Sequence, residues 1–132
     1  MNLLDRDAIL GAQDLPTEDV SVPEWGGTVR VRGLTGSERD AWEASLVQGA
    51  GTKHARLVLA DVRARLLART IVDEEGKHIF GDGDIKALSA KSAMALERVF
   101  KVAQRLSGLT DEDVEELAGN SDSAPSDASG TA

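Results

Sequence analysis

The sequence predicts a mainly α fold, a small helical bundle carrying one or two short β-hairpins and ending in a disordered tail. Three observations lead there. Apolar residues are 41% of the 132 positions but aromatic ones only 3%, so a core must be filled mainly by Leu, Val, Ile and Ala, as in packed helices. Segments further along the chain place apolar residues at helical spacing behind capping residues. Around 20–31 the valines alternate instead, the pattern of a hairpin with one buried face. The length suits one domain with one core. The expected organisation is a helix or arm over 1–19, a helical domain over 20–118 with a β-hairpin near 20–33, and a disordered acidic tail over 119–132.

Leu3, Leu4, Ala8 and Ile9 have rough helical spacing before Leu15-Pro16 interrupts it, which predicts a short N-terminal helix or arm. Val20 and Val22, then Val29 and Val31, flank a turn containing Pro23, Gly26 and Gly27, which predicts the first hairpin. Thr35-Gly36-Ser37-Glu38 matches a capping box and predicts a helix over about 36–48. Gly49 and Gly51 should end it. A longer helix is expected over 53–70, with Val58, Leu59, Val62 and Leu66 along one stripe, forming an antiparallel pair with the helix before it.

Ile71-Val72 and Ile79-Phe80 enclose an acidic turn with Gly76, predicting a second, very short hairpin. Asp82 or Asp84 should cap a short helix over 85–90. Leu96, Val99, Phe100, Ala103 and Leu106 then recur as the buried face of the clearest amphipathic helix. Thr110 is placed to cap a last helix ending near Ala118, with Leu109 stapling against Val114. Residues 119–132 lack large apolar side chains and read as the disordered tail.

The net charge of −8 is unevenly distributed. Asp111, Glu112, Asp113, Glu115, Glu116, Asp122 and Asp127 stand without a base in 110–132, leaving 16 acids and 15 bases in 1–109. A nearly neutral body has no overall field suited to a polyanion, which argues against nucleic acid as partner. The absence of cysteine excludes disulfides, thiolate zinc sites and a cysteine nucleophile, and fits a reducing cytosol. No stretch approaches the roughly 18 apolar residues of a membrane span, and the N-terminus carries acids where a signal peptide needs bases. The chain is expected to stay soluble where it is made.

The sequence carries little that points to catalytic chemistry. His54 and His78 lack zinc-site spacing and read as solvated, and no phosphate loop, dinucleotide fingerprint or nucleophile elbow is present. Asp82 and Asp84 beside Gly81 and Gly83 lack the ligand series of a calcium loop, and Asp73, Glu74 and Glu75 lack apolar surroundings that would raise a pKa. A non-enzymatic protein without a cofactor or metal is expected.

Candidate partner-binding residues remain. Trp25, at the hairpin tip, is either a lid on the core or an exposed anchor, with core packing favoured, and Trp42 carries the same two readings with core packing favoured more strongly. Lys53, Arg56, Arg63, Arg65 and Arg69 form a basic cluster that could contact nucleic acid, pair with acids 111–116, or solvate a helix face. Arg63, Arg65 and Arg69, with Arg30 and Arg32 of the hairpin, complete the candidate set.

VPEWGGTVRVRGLTGSERDAWE at 22–43, ARLLARTIVDEEGKHIFGDGDIKALSAKSAMALERVFKVAQRLSGL at 64–109 and TDEDVEEL at 110–117, taken together, resemble the tail assembly chaperones of long-tailed phages of siphophage type infecting actinobacteria. The resemblance implies a mostly helical, non-catalytic protein encoded between the major tail protein and the tape measure protein, often with a frameshifted longer form. It implies that the chain coats and solubilises the tape measure protein and helps recruit tail tube subunits, in the host cytoplasm and absent from the finished virion. Partners would be the tape measure and major tail proteins, with neither nucleic acid nor membrane, and homo-oligomerisation stays open. Two other classes stay open beside it: a structural tail or connector component, and a small nucleic-acid-binding regulator using 53–69.

Overall fold

The computed structural model describes residues 2–48, 52–54, 56–110 and 112–113. Among them the elements run α1 (Arg6–Gly11), β1 (Thr17–Val22), β2 (Gly27–Arg32), α2 (Gly36–Ser45), β3 (Val47–Gln48), β4 (Arg56–Leu57), α3 (Val62–Thr70), β5 (Ile71–Val72), α4 (Ile85–Ser89) and α5 (Ala93–Leu106). The class is mainly α with a minor β part, as expected.

The alternating valines make the first hairpin. β1 and β2 pair antiparallel with Val20 opposite Val29, and Val20, Val22 and Val31 are buried on one face. A single 3-10 turn over Pro23–Trp25 joins them, closed by Gly26 at φ 78°, a left-handed conformation that glycine adopts without strain. β5 adds to the far side of β2, giving the order β1-β2-β5. The predicted capping box starts α2: Thr35 Oγ1 accepts the Glu38 N–H at 3.1 Å, and Glu38 Oε1 accepts the Thr35 N–H at 2.9 Å.

The core lies between this sheet and the helices. α5 buries Ala95, Leu96, Val99, Phe100 and Ala103, meeting Ala64, Leu66 and Leu67 of α3, Trp42 and Leu46 of the α2 region, and the valines of the hairpin. Each full burial of a large apolar side chain contributes about 1.5–3 kcal/mol. α5 also fixes the hairpin's direction, because Arg105 pairs with Glu18 near the start of β1 while Arg98 pairs with Glu24 in the turn after it. β1 and α5 therefore run side by side in opposite senses.

Two expectations need correction. The helix expected over 53–70 begins only at Val62. Arg56–Leu57 instead pairs antiparallel with Val47–Gln48, and Val58 N–H continues the pairing to the Leu46 carbonyl, so Val58 and Leu59 belong to no helical stripe. Asp61, at φ 59°, turns the chain into α3, and the expected pair of helices joined by a glycine turn is a strand pair around residues that include Gly49 and Gly51, which lie outside the described set. The second, very short hairpin forms as expected: Val72 bridges His78 antiparallel, the Asp73 and Ile79 N–H groups donate to the Lys77 and Ile71 carbonyls, and Ile71–Val72 pairs with β2 as well.

Other boundaries shift slightly. α2 stops at Ser45, and the short helix expected over 85–90 is α4, preceded by a 3-10 turn over Asp82–Asp84. Thr110 and Asp113 exchange backbone-to-side-chain hydrogen bonds of 2.9 Å each, the start expected for the last helix. Val114, the end of that helix near Ala118, and the tail over 119–132 lie outside the described residues.

Candidate functional site

An open apolar surface lies where the start of α3 meets the start of α5. Asp61 turns the chain so abruptly that Leu59, just before it, stays 38% exposed. Ser92 Oγ accepts the Ala95 N–H at 3.2 Å and starts α5 immediately after α4, which leaves Met94 in the first turn, off the buried stripe and 73% exposed. Leu59, Val62, Ala93, Met94 and Leu96 line an open groove of about 810 Å³ between them.

A second depression of about 500 Å³ adjoins it, lined by Trp25, Phe80, Ala87 and Leu88, and Lys91 lines both. The two are also joined at the rim, since Arg98 borders the first and Glu24 the second. Trp25 itself is half-buried against the core, and its Nε1 has no hydrogen-bond partner, an orphaned donor of the kind that costs about 1–3 kcal/mol.

The rim is fixed by paired charges. Arg98 donates to Glu24 through Nη1 and Nη2 at 2.7 and 2.9 Å, a two-pronged clamp. The Arg98 hydrogen bonds, helped by a backbone N–H, hold the Glu24 carboxyl down to about 2. Lys86 lies 2.9 Å from Asp61 and, with the Ser89 hydroxyl, lowers that carboxyl below its ordinary value. Arg63 donates to Glu97 and stands 5.5 Å from the Phe100 ring centroid. Lys91, by contrast, has no ion-pair partner among the described residues. The surface is thus two apolar pits flanking one available ammonium group, suited to holding apolar side chains with a carboxylate between them.

Of the residues singled out from the sequence, Trp25 lies at this site. Trp42 is fully buried, with its indole N–H directed at the Val62 carbonyl at 3.5 Å, so it is core and not a surface anchor. Arg30 makes a cross-strand pair with Asp19 at 2.7 and 3.0 Å. Arg32 joins Glu38 at 2.6 Å and the Gly76 carbonyl at 3.4 Å, while His78 reaches Glu38 at 2.9 Å and the Arg69 carbonyl at 3.1 Å. His78 therefore ties the bridge to α2 and α3, where a merely solvated histidine was expected. Partial burial pushes the Glu38 carboxyl up, but the Thr35 N–H and Arg32 outweigh this and leave it lowered.

The basic cluster is dispersed. Arg63 pairs with Glu97, Arg65 donates to the Ser45 carbonyl at 2.7 Å, and Arg69 reaches the Arg65 carbonyl at 3.1 Å and Asp82 at 3.7 Å. The three arginines tie α3 to its neighbours rather than presenting one charged face. Sequence reasoning missed Met94, Leu59, Phe80 and Lys91. Met94 was open to detection, being an apolar residue off the Leu96–Val99–Phe100 stripe of its helix. Among the described residues no group of three or more His, Asp or Glu is placed to hold a metal ion, and no helix is long and apolar enough to cross a membrane.

The chain is thus a small α-helical and β-hairpin scaffold with two adjoining apolar depressions on its surface. Residues 7–120 match the family model described as phage tail assembly chaperone. The chain belongs to that family. Among solved structures it is similar to the bacteriophage HK97 tail assembly chaperone, with a TM-score of 0.55 and 19% identity over 80% of this chain and 95% of that one. No curated protein matches. At that identity the structural likeness bears on the fold alone.

Proposed function

We propose that this chain acts by binding, without chemistry, during phage tail assembly: it holds apolar helical stretches of the tape measure protein in solution and helps bring tail tube subunits to it. The carrying observation is the pair of apolar pits on either side of Lys91. An amphipathic helix docks by setting apolar residues at one- to two-turn spacing into such depressions, and an unsatisfied ammonium between them favours a client with an acidic residue on the same face. Family membership supplies the setting, and the host cytoplasm is where the client is made.

Co-expression with the tape measure protein of the same phage tests the reading. The expected result is more tape measure protein in the soluble fraction and co-purification of the two. Unchanged client solubility with no complex would defeat it. Mass spectrometry of purified virions separates it from a structural tail component, since a chaperone should be missing from the particle.

A further inference from the structure

The sheet is open along β1. The Gly33 N–H donates to the Pro16 carbonyl at 2.9 Å, which extends the β1–β2 register by one pair. Hydrogen-bonded pairs alternate along an antiparallel ladder, so Glu18, Val20 and Val22 bond to β2, and Thr17, Asp19 and Ser21 turn their N–H groups and carbonyls away from it. Those outward groups meet no partner among the described residues. The far edge is closed, because β5 is bonded on its outer side by Lys77 and Ile79. β1 also lacks the usual protection of an edge: Thr17–Val22 holds no Lys, no Pro and no bulge, and its acids are already paired, Glu18 with Arg105 and Asp19 with Arg30.

We propose that this edge takes up an extended, acidic segment of a different protein, which joins the sheet as an added strand running antiparallel to β1. Only an extended backbone offers donors and acceptors at the spacing of the edge, along about 20 Å of strand. The contact is backbone pairing at the sheet edge and leaves the two pits free for a helical client.

α5 decides which side chains suit that strand. Its Glu97 and Phe100 face Arg63 of α3, which leads straight into β5 at the far side of the sheet. The opposite flank of α5 carries Arg98, Val102 and Arg105, one helical face by their spacing, and lies along β1, since Arg98 pairs with Glu24 and Arg105 with Glu18. Val102 is half-buried against the core. The Arg105 side chain stays 60% exposed and engages Glu18 through Nη2 alone among the described residues, out of the five N–H donors of a guanidinium. An incoming strand therefore meets an apolar shelf at Val102 and further donors at Arg105, beside the start of β1. An apolar residue followed, towards the C-terminal end of the segment, by a carboxylate fits both.

Titration of the full chain with a short, acetylated and amidated peptide tests this without any tape measure protein. The peptide alternates threonine and valine, with glutamate in place of the last valine. The amide resonances of Thr17, Asp19 and Ser21 should move on binding. In an antiparallel strand whose valines face α5 the threonine N–H groups point at β1, so methylating the threonine nitrogens should abolish binding and methylating the valine nitrogens should leave it intact. Lysine in place of the glutamate should weaken binding by about threefold to tenfold. Ser21→Pro removes an outward N–H while sparing the β1–β2 ladder, and should keep the circular dichroism and lose about tenfold or more in affinity. Met94→Glu, which alters a pit, should bind the peptide as the wild type does. A wild type that binds no peptide, equal binding of the two methylated peptides, a lysine peptide that binds as well as the glutamate one, or loss of binding in Met94→Glu would overturn the proposal.

Discussion

Arg98 of α5 grips Glu24 of the Pro23–Trp25 turn through two hydrogen bonds of 2.7 and 2.9 Å. Between them the two residues connect the rims of the two apolar pits and hold the hairpin tip, with Trp25, against the end of the helix. A charge pair at this place is an architectural device of the two-pit surface. Its strength is tied to the ionisation of Glu24.

That tie gives a pH dependence. The Glu24 carboxyl is held down to about 2 in the fold against an ordinary value of 4.5, so the clamp's contribution is complete above 4.5 and is lost as pH falls from there through about 2. Trp25 emission should shift to the red over that window as the tip loosens, with fully buried Trp42 as a constant background while the chain stays folded. In Arg98→Gln the shift should already be present at neutral pH. An identical pH profile in wild type and variant would show that Arg98 does not hold the tip.

Trp42 is the largest fully buried side chain. Trp42→Ala should lower stability by about 3–5 kcal/mol through the cavity it leaves. Trp42→Phe should cost much less, because the indole hydrogen bond to Val62 is long at 3.5 Å. Urea midpoints of the two variants check the order.

Gly33 is needed for space. A Cβ there would stand 2.6 Å from the Leu106 carbonyl oxygen and 3.3 Å from the Pro16 ring, where the N-terminal arm, β2 and the end of α5 converge. Gly33→Ala should destabilise by about 1–3 kcal/mol, read as a lowered melting temperature. Gly36→Ala, where no atom lies within 4 Å, is the control and should be close to neutral.

Much of this architecture was legible in the sequence. The Thr35–Glu38 box, the alternating valines and the Leu96–Val99–Phe100–Ala103 stripe each depend on neighbours close in sequence, and each formed as read. The strand pair β3–β4 was not legible. Two-residue strands carry no period, and Val58, Leu59, Val62 and Leu66 fit a helical stripe equally well. What favours the strands is tertiary, including Arg65 of α3 reaching back to the Ser45 carbonyl at 2.7 Å. His78 is exposed, as read, but its partners Glu38 and Arg32 were not legible, being distant in sequence. Trp25 was found as a candidate anchor, but the pits it shares in could not be, since Leu59 is exposed only because α3 starts late.

The proposed holding of the tape measure protein by the two-pit groove is tested by parallel co-expression of that client with wild type and with Met94→Glu. Met94 is 73% exposed, so the substitution should change stability by no more than about 0.5 kcal/mol. The wild type should bring the client into the soluble fraction and co-purify with it, whereas the folded variant should leave it insoluble. Equal recovery of soluble client with both chains would contradict it.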